Sequence, residues 1–201
     1  MRAFDSDAKS VATSRALRDV FATGDSDWTI EHGDVLDEAY IKSLGTYDVV
    51  YSWGVLHHTG EMWRAIGNAM TCLAPGGTFV IAIYNDQGGT SRRWRAVKRL
   101  YNRLPSALRP FLVAMCIPVQ WWKDVAAGAV RGRPLAAWHA YSRERGMSPW
   151  HDMVDWVGGY PFEVAKPEEI FEFFKARGFL LHAMKTCGGG IGCNEFVFRR
   201  P

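Results

Sequence analysis

The stretch from Tyr47 to Asn85 constrains the fold more than any other part of the chain. It reads YDVVYSWGVLHHTGEMWRAIGNAMTCLAPGGTFVIAIYN. Two apolar runs, residues 47–52 and 78–84, flank a segment in which Trp63, Ile66, Met70 and Leu73 recur at helical spacing, closed by a Pro-Gly-Gly turn. Continuous apolar runs mark strands buried on both faces, and their alternation with helices predicts a parallel sheet. In open sheets of this kind, ligands bind beyond the carboxyl ends of the strands. The loop Ser52-Trp53-Gly54-Val55-Leu56-His57-His58 leaves the first strand at that end, and chemistry is expected there.

The flanking sequence continues the pattern. Residues 1–4 form a short apolar run ending in Asp5-Ser6-Asp7. Ala12, Ala16, Leu17, Val20 and Phe21 predict a helix over 8–22, with Asp7 or Ser6 as N-cap and Gly24 beyond its end. A short strand over 28–31 leads to Gly33-Asp34, and residues 40–44 suit a helical turn. Near the C-terminus, Pro167, Glu168 and Glu169 open a helix that buries Ile170, Phe173 and Phe174 and stops at Gly178. Residues 179–186 and 195–199 then read as strands joined by a glycine-rich turn, a connection short enough to force them antiparallel.

Residues 86–165 break this rhythm. They hold six of the nine tryptophans and twelve Lys/Arg against six Asp/Glu, a formal charge of +6, while the whole chain carries +3. Residues 91–104 predict an amphipathic helix with Trp94, Val97, Tyr101 and Leu104 on one side and Arg92, Arg93, Arg95, Arg99 and Arg103 mostly on the other. The longest apolar run, 111–117, lies between Pro110 and Pro118 and is too short to span a bilayer. The four cysteines are scattered without zinc-type spacing, so no metal is expected. Reduced thiols and the lack of an apolar leader predict a cytoplasmic protein.

In its order and spacing of motifs, the chain resembles the class I S-adenosylmethionine-dependent methyltransferases, in the group of polyprenyl-hydroxyphenol-methylase-like small-molecule methylases. The motifs are AFDSDAKSVA, GDVLD, DVVYSWGVLHH, LAPGGTFVIAIYN and FLLHAMKTCGGGIGCNEFVF. The resemblance implies an α/β, Rossmann-like, doubly wound and mostly parallel sheet with an antiparallel C-terminal strand pair. Its core would be residues 1–85 and 166–201, with 86–165 a helical, aromatic and basic lid inserted after the fifth family strand. It also implies a first strand, Gly-x-Gly loop and helix ahead of Asp5, lying between the strands of 1–4 and 47–52. These are not in the sequence, so the expectation is a protein truncated at its N-terminus, with two strands short of a ladder partner and weak cofactor binding.

The resemblance implies S-adenosyl-L-methionine as cofactor. Asp5 would hold the ribose, with Ser6 beside it in the cofactor site, Asp34 and Val35 the adenine, and Ser52, Trp53 and Gly54 the methionine end. Each has an ordinary alternative: Asp5 as helix cap, although Asp7 suits that better; Asp34 as a turn residue; Trp53 as packing for a tight turn. His57 and His58 are candidate general bases, with helix capping or core hydrogen bonding as the other reading. Tyr84 and Asn85 would border a small-molecule acceptor, aromatic or lipid-like. The basic insertion suggests peripheral contact with an anionic membrane, or simply a solvated face over an aromatic core; nucleic acid is not expected. A non-catalytic fragment of the fold is the competing reading.

Overall fold

The computed structural model describes residues 1–24 and 27–201. They form two units, residues 1–85 with 164–201, and residues 86–163. The second unit ends two residues before the expected insertion does. The cause is Ala165, whose N–H donates to the Tyr84 carbonyl (3.0 Å) and which bridges to Asn85, tying it to the first unit.

In the first unit, β1 (Arg2–Asp5) pairs in parallel with β2 (Thr29–His32), bringing Asp5 opposite His32. Between them runs α1 (Ala8–Phe21). Its N-cap is Asp7, whose carboxylate accepts from the Ser10 N–H at 3.0 Å, leaving Asp5 for another role. After α2 (Glu38–Ser43), strand β3 (Tyr47–Trp53) pairs in parallel with β4 (Leu73–Tyr84). The final strands, β5 (Leu180–Lys185) and β6 (Cys193–Arg199), are antiparallel, and β6 lies between β5 and β4. The sheets therefore run β1-β2 and β3-β4-β6-β5. This is the Rossmann-like mixed architecture expected. Among the described residues, the edge of β1 away from β2 and the edge of β3 away from β4 have no ladder partner, and Val49 and Tyr51 on β3 are exposed.

β4 begins earlier than its apolar run suggests. Leu73 already pairs with Tyr47, and the next partners are Val49 and Thr78, so Ala74–Gly77 bulge out of the ladder. Gly77 is required there, because a Cβ would come within 2.9 Å of the Ala74 carbonyl and 3.0 Å of that of Asp48. Leu73 is consequently a strand residue, not part of the helix before it. That helix, α3 (Met62–Thr71), buries Met62, Ala65, Ile66, Ala69 and Met70. Trp63 falls outside this face and packs on Phe173 instead (4.8 Å between centroids). With α8 (Pro167–Lys175), these elements enclose a core of Phe79, Ile81, Ile170, Phe174, Phe196 and Phe198. Phe174 stacks on Phe198 at 3.9 Å and 5°. Each such side chain, fully buried, stabilises the fold by about 1.5–3 kcal/mol.

The second unit is helical: α4 (Gly89–Arg103), α5 (Arg109–Val130), α6 (Ala136–Arg145) and α7 (Pro149–Gly158). α5 continues through Pro118, the residue that closes the apolar run 111–117. The aromatic residues pack on one another: Trp94 on Trp156, Trp156 on Phe162, and Trp121 on both Trp138 and Tyr141. At its centre α4 buries Lys98 completely, a residue the Arg-rich pattern of that helix concealed. The ammonium donates to the Trp156 carbonyl and sits 4.1 Å above the Trp156 ring and 4.9 Å above that of Phe162. Burial pushes its pKa down to about 8, against the opposing pull of Asp155. Among the described residues, no helix is long and apolar enough to cross a membrane.

Candidate functional site

Two parallel strand pairs of the first unit end in the residues singled out from the sequence. β1 ends at Asp5, β2 runs into Gly33-Asp34, β3 ends at Trp53 and β4 at Tyr84. The first two tips are joined: the Gly33 N–H donates to the Asp5 carbonyl at 3.1 Å, and the His32 Nε2 contacts the Ser6 carbonyl at 3.0 Å. The Asp34 turn is fixed in turn to α3. The Asn68 amide donates to the Val35 carbonyl (2.9 Å) and Arg64 to that of Leu36 (3.1 Å). Val35 and Leu56, from the turn after β2 and the loop after β3, enter the same apolar core.

Asp5 and Asp34 have the same local geometry. In each, Oδ1 accepts from the backbone N–H two residues ahead, Asp7 and Leu36, at 2.8 Å. The turn holds the carboxylate at the exposed strand tip, and its other oxygen has no partner among the described residues. Neither acid caps a helix, since Asp7 and Asp37 do that. Ser6 is exposed beside Asp5. Ser52 Oγ is buried at the end of β3 with no hydrogen-bond partner among the described residues. Gly54 turns the loop away from β3 at φ +72°, a conformation that favours glycine, and its N–H donates to the Ala82 carbonyl at 3.1 Å. Trp53 does not pack the turn. It is half exposed and stacks at 9° on Tyr51 along the outer face of β3.

His57 and His58 lie on a single 3-10 turn, Leu56–His58, and meet Tyr84. His57 is fully buried, its ring 3.9 Å from that of Tyr84, and its Nδ1 accepts the Tyr84 N–H at 3.3 Å. Accepting there fixes the neutral tautomer protonated at Nε2. This is the core hydrogen-bonding arrangement, and it clamps the loop after β3 to the end of β4. His58 is less buried and lies edge-on to Tyr84 at 5.5 Å.

The glycine-rich turn after β5 also belongs to this rim, which the sequence reading missed. Antiparallel pairing of β4 with β6 sets Cys193 opposite Tyr84, so the turn must fall at the carboxyl end of β4. Asn85 holds it: its N–H donates to the Gly192 carbonyl (2.9 Å), and its Oδ1 accepts from buried Asn194 (3.0 Å). Burial pushes the Cys193 thiol up to about 11, so it is no nucleophile near neutral pH. Among the described residues, no group of three or more His, Cys, Asp or Glu could hold a metal ion.

A parallel strand pair tipped by acids, with a mixed sheet closed by an antiparallel pair, defines a nucleotide-type binding fold. The profile of the methyltransferase domain matches residues 4–124, and the chain belongs to that family, as the sequence motifs imply. Solved structures with the same fold include an O-methyltransferase family protein from Burkholderia thailandensis (15% identity, TM-score 0.53), covering 99% of this chain and 43% of that one. Magnesium protoporphyrin IX methyltransferase from Synechocystis, with bound SAH, shares 12% identity over the full chain at TM-score 0.53, with 64% of its own length covered. The N-methyltransferase NodS from Bradyrhizobium japonicum, in complex with S-adenosyl-l-homocysteine, shares 16% identity, also over the full chain, at TM-score 0.52 and 66% of its length. At these identities the likeness speaks for the fold alone. The chain spans less than two thirds of each. No curated protein matches it.

Proposed function

We propose that this chain carries the cofactor cradle of an S-adenosylmethionine-dependent methyltransferase acting on a small, aromatic or lipid-like acceptor. The observation that carries the reading is the pair of matched turns at Asp5 and Asp34, which hold two half-satisfied carboxylates at adjoining parallel strand tips. The residues fit a polar nucleoside: Asp5 and Ser6 toward ribose hydroxyls, Asp34 and the Val35 backbone toward adenine, and Ser52 with Gly54 toward the amino-acid end. The cofactor supplies an activated methyl group, so the work left to the protein is mainly orientation. His57 is a positioning residue holding the loop against β4. His58, the more accessible of the two, is the candidate to take a proton from an oxygen acceptor. Tyr84 supplies the apolar rim that supports an aromatic or lipid-like acceptor, and Asn85 braces that rim.

Calorimetric titration with S-adenosylhomocysteine tests this. Asp5→Ala removes hydrogen bonds to a carboxylate and is expected to raise Kd roughly 10- to 100-fold. An unchanged Kd removes Asp5 from the site. The second reading, that these residues hold cofactor only feebly by themselves, is favoured by the edges of β1 and β3 that lack a ladder partner among the described residues. It predicts that a version carrying an added strand, Gly-x-Gly loop and helix ahead of β1 binds far tighter than this chain. Equal, tight binding by both sinks it.

A further inference from the structure

Helix α5 is apolar on both of its faces. Val113, Cys116 and Trp121 face inward and are buried. Phe111, Met115, Val119 and Trp122 face outward, each between 60% and 72% exposed. These four are spaced four, four and three positions apart, so they align along one side of the helix. Exposed Ala114, Pro118 and Ala126 flank them, and Val130 extends the line to the helix end. A helix apolar all round is normally covered all round. The outer stripe of α5 is a large exposed apolar surface, of the kind that marks an interaction site.

The surrounding charge says what covers it. From Arg103 to Arg143 the chain carries six Lys/Arg and one carboxylate, Asp124. Arg103 and Arg109 stand at the head of the stripe, Lys123 borders its middle, and Arg131 and Arg133 lie beyond its foot. Lys123, Arg131 and Arg133 are exposed. Two copies joined through this face would press cations against cations. An anionic bilayer offers the reverse: hydrocarbon for the stripe and phosphates for the cations. Trp122, with the Lys123 ammonium 5.9 Å from its ring, is the residue pair suited to the boundary between them. Because no described helix can cross a membrane, the contact is one that lies on the surface.

We propose that the outer face of α5 docks on an anionic lipid bilayer, with Phe111, Met115, Val119 and Trp122 below the headgroups and Lys123, Arg131 and Arg133 on the lipid phosphates. The proposal is independent of methyl transfer, and its test reads no activity. The full chain is sedimented with vesicles of phosphatidylcholine alone and of equimolar phosphatidylcholine and phosphatidylserine. Binding to the anionic vesicles is expected to exceed that to the neutral ones by at least about tenfold and to weaken as salt rises. Replacing Met115 and Trp122 together by serine, both exposed, is expected to cut partitioning about tenfold or more with an unchanged circular dichroism spectrum. Lys123→Glu with Arg131→Glu should abolish the preference for anionic lipid while leaving the apolar stripe intact. Lipid binding that is absent, or that both variants retain, overturns the proposal. So does a dimer in lipid-free solution that Met115→Ser with Trp122→Ser dissociates, since the stripe would then be covered by a second copy.

Discussion

The two units bury their interiors by different chemistry. The first is filled with Phe79, Phe174, Phe196, Phe198 and isoleucines, and its buried polar side chains, His57 and Asn194, make hydrogen bonds across adjoining elements. The second centres on a cation. Lys98 runs its stem through a shell of aromatic rings and ends on the Trp156 carbonyl. A hydrophobic interior tolerates such a group only when its donors are satisfied, and even then the charge is held at a cost, as the lowered pKa shows. The first interior is therefore sensitive to volume and the second to protonation.

The largest effect expected from that contrast is at Phe174. Its ring stacks on Phe198 and lies edge-on to Phe79 and Phe179 at 5.3 and 5.4 Å. Phe174→Ala should destabilise the first unit by about 3–5 kcal/mol, read by equilibrium denaturation. A loss under about 1 kcal/mol would mean that the core closes around the gap, and the contrast with the second unit would fail.

Protonation gives the next largest effect. Lys98 titrates near 8 in the fold against an ordinary value of 10.5. Below pH 8 it is charged both folded and unfolded, and the burial penalty weighs fully on the fold. Between the two values the unfolded chain binds the extra proton, so stability rises with pH across that window, by about 3 kcal/mol in all. Lys98→Met keeps the stem and removes the charge. The stability difference between the variant and the native chain should then shift by about that amount between pH 7 and pH 11, followed by tryptophan fluorescence, to which the second unit contributes six of nine indoles. A pH-independent difference would show that Lys98 keeps its proton when buried.

This difference in chemistry also explains what the sequence made legible. Apolar runs of a half-dozen residues specify strands, and Asp5, Asp34 and the loop after β3 fall at strand tips because parallel connections allow nothing else. The register could not be read. The bulge at Ala74–Gly77 depends on where the Asp48 carbonyl points, and periodicity carries no such information. Trp63 matched the helical spacing of Ile66 and Met70, yet Phe173, more than a hundred residues onward, draws it off that face. In the second unit, Lys98 sits among five arginines on a helix that reads as a solvated face. Its burial follows from carbonyl and ring partners on a helix some sixty residues away. The glycine turn was legible as a hairpin, but its place beside Asn85 follows only once β6 is known to pair with β4.

The smallest effect concerns how helices begin. In the first unit, α1 and α2 have aspartate caps, and the Asp37 carboxylate accepts from the Ala39 and Tyr40 N–H groups at 3.0 and 3.1 Å. In the second unit, none of α4 to α7 has a side-chain cap, although Ser148 occupies the capping position of α7. Helices of the first unit are thus fixed partly by local chemistry, and those of the second by the packing of their aromatic faces. Asp37→Ala should cost about 1 kcal/mol of stability, while Ser148→Ala should fall within about 0.5 kcal/mol of the native chain, both by chemical denaturation. Equal losses would place a working cap at Ser148 and erase the distinction. A neutral Asp37→Ala would mean that the tether of the β2–α2 turn to α3, through Asn68 and Arg64, holds α2 without its cap.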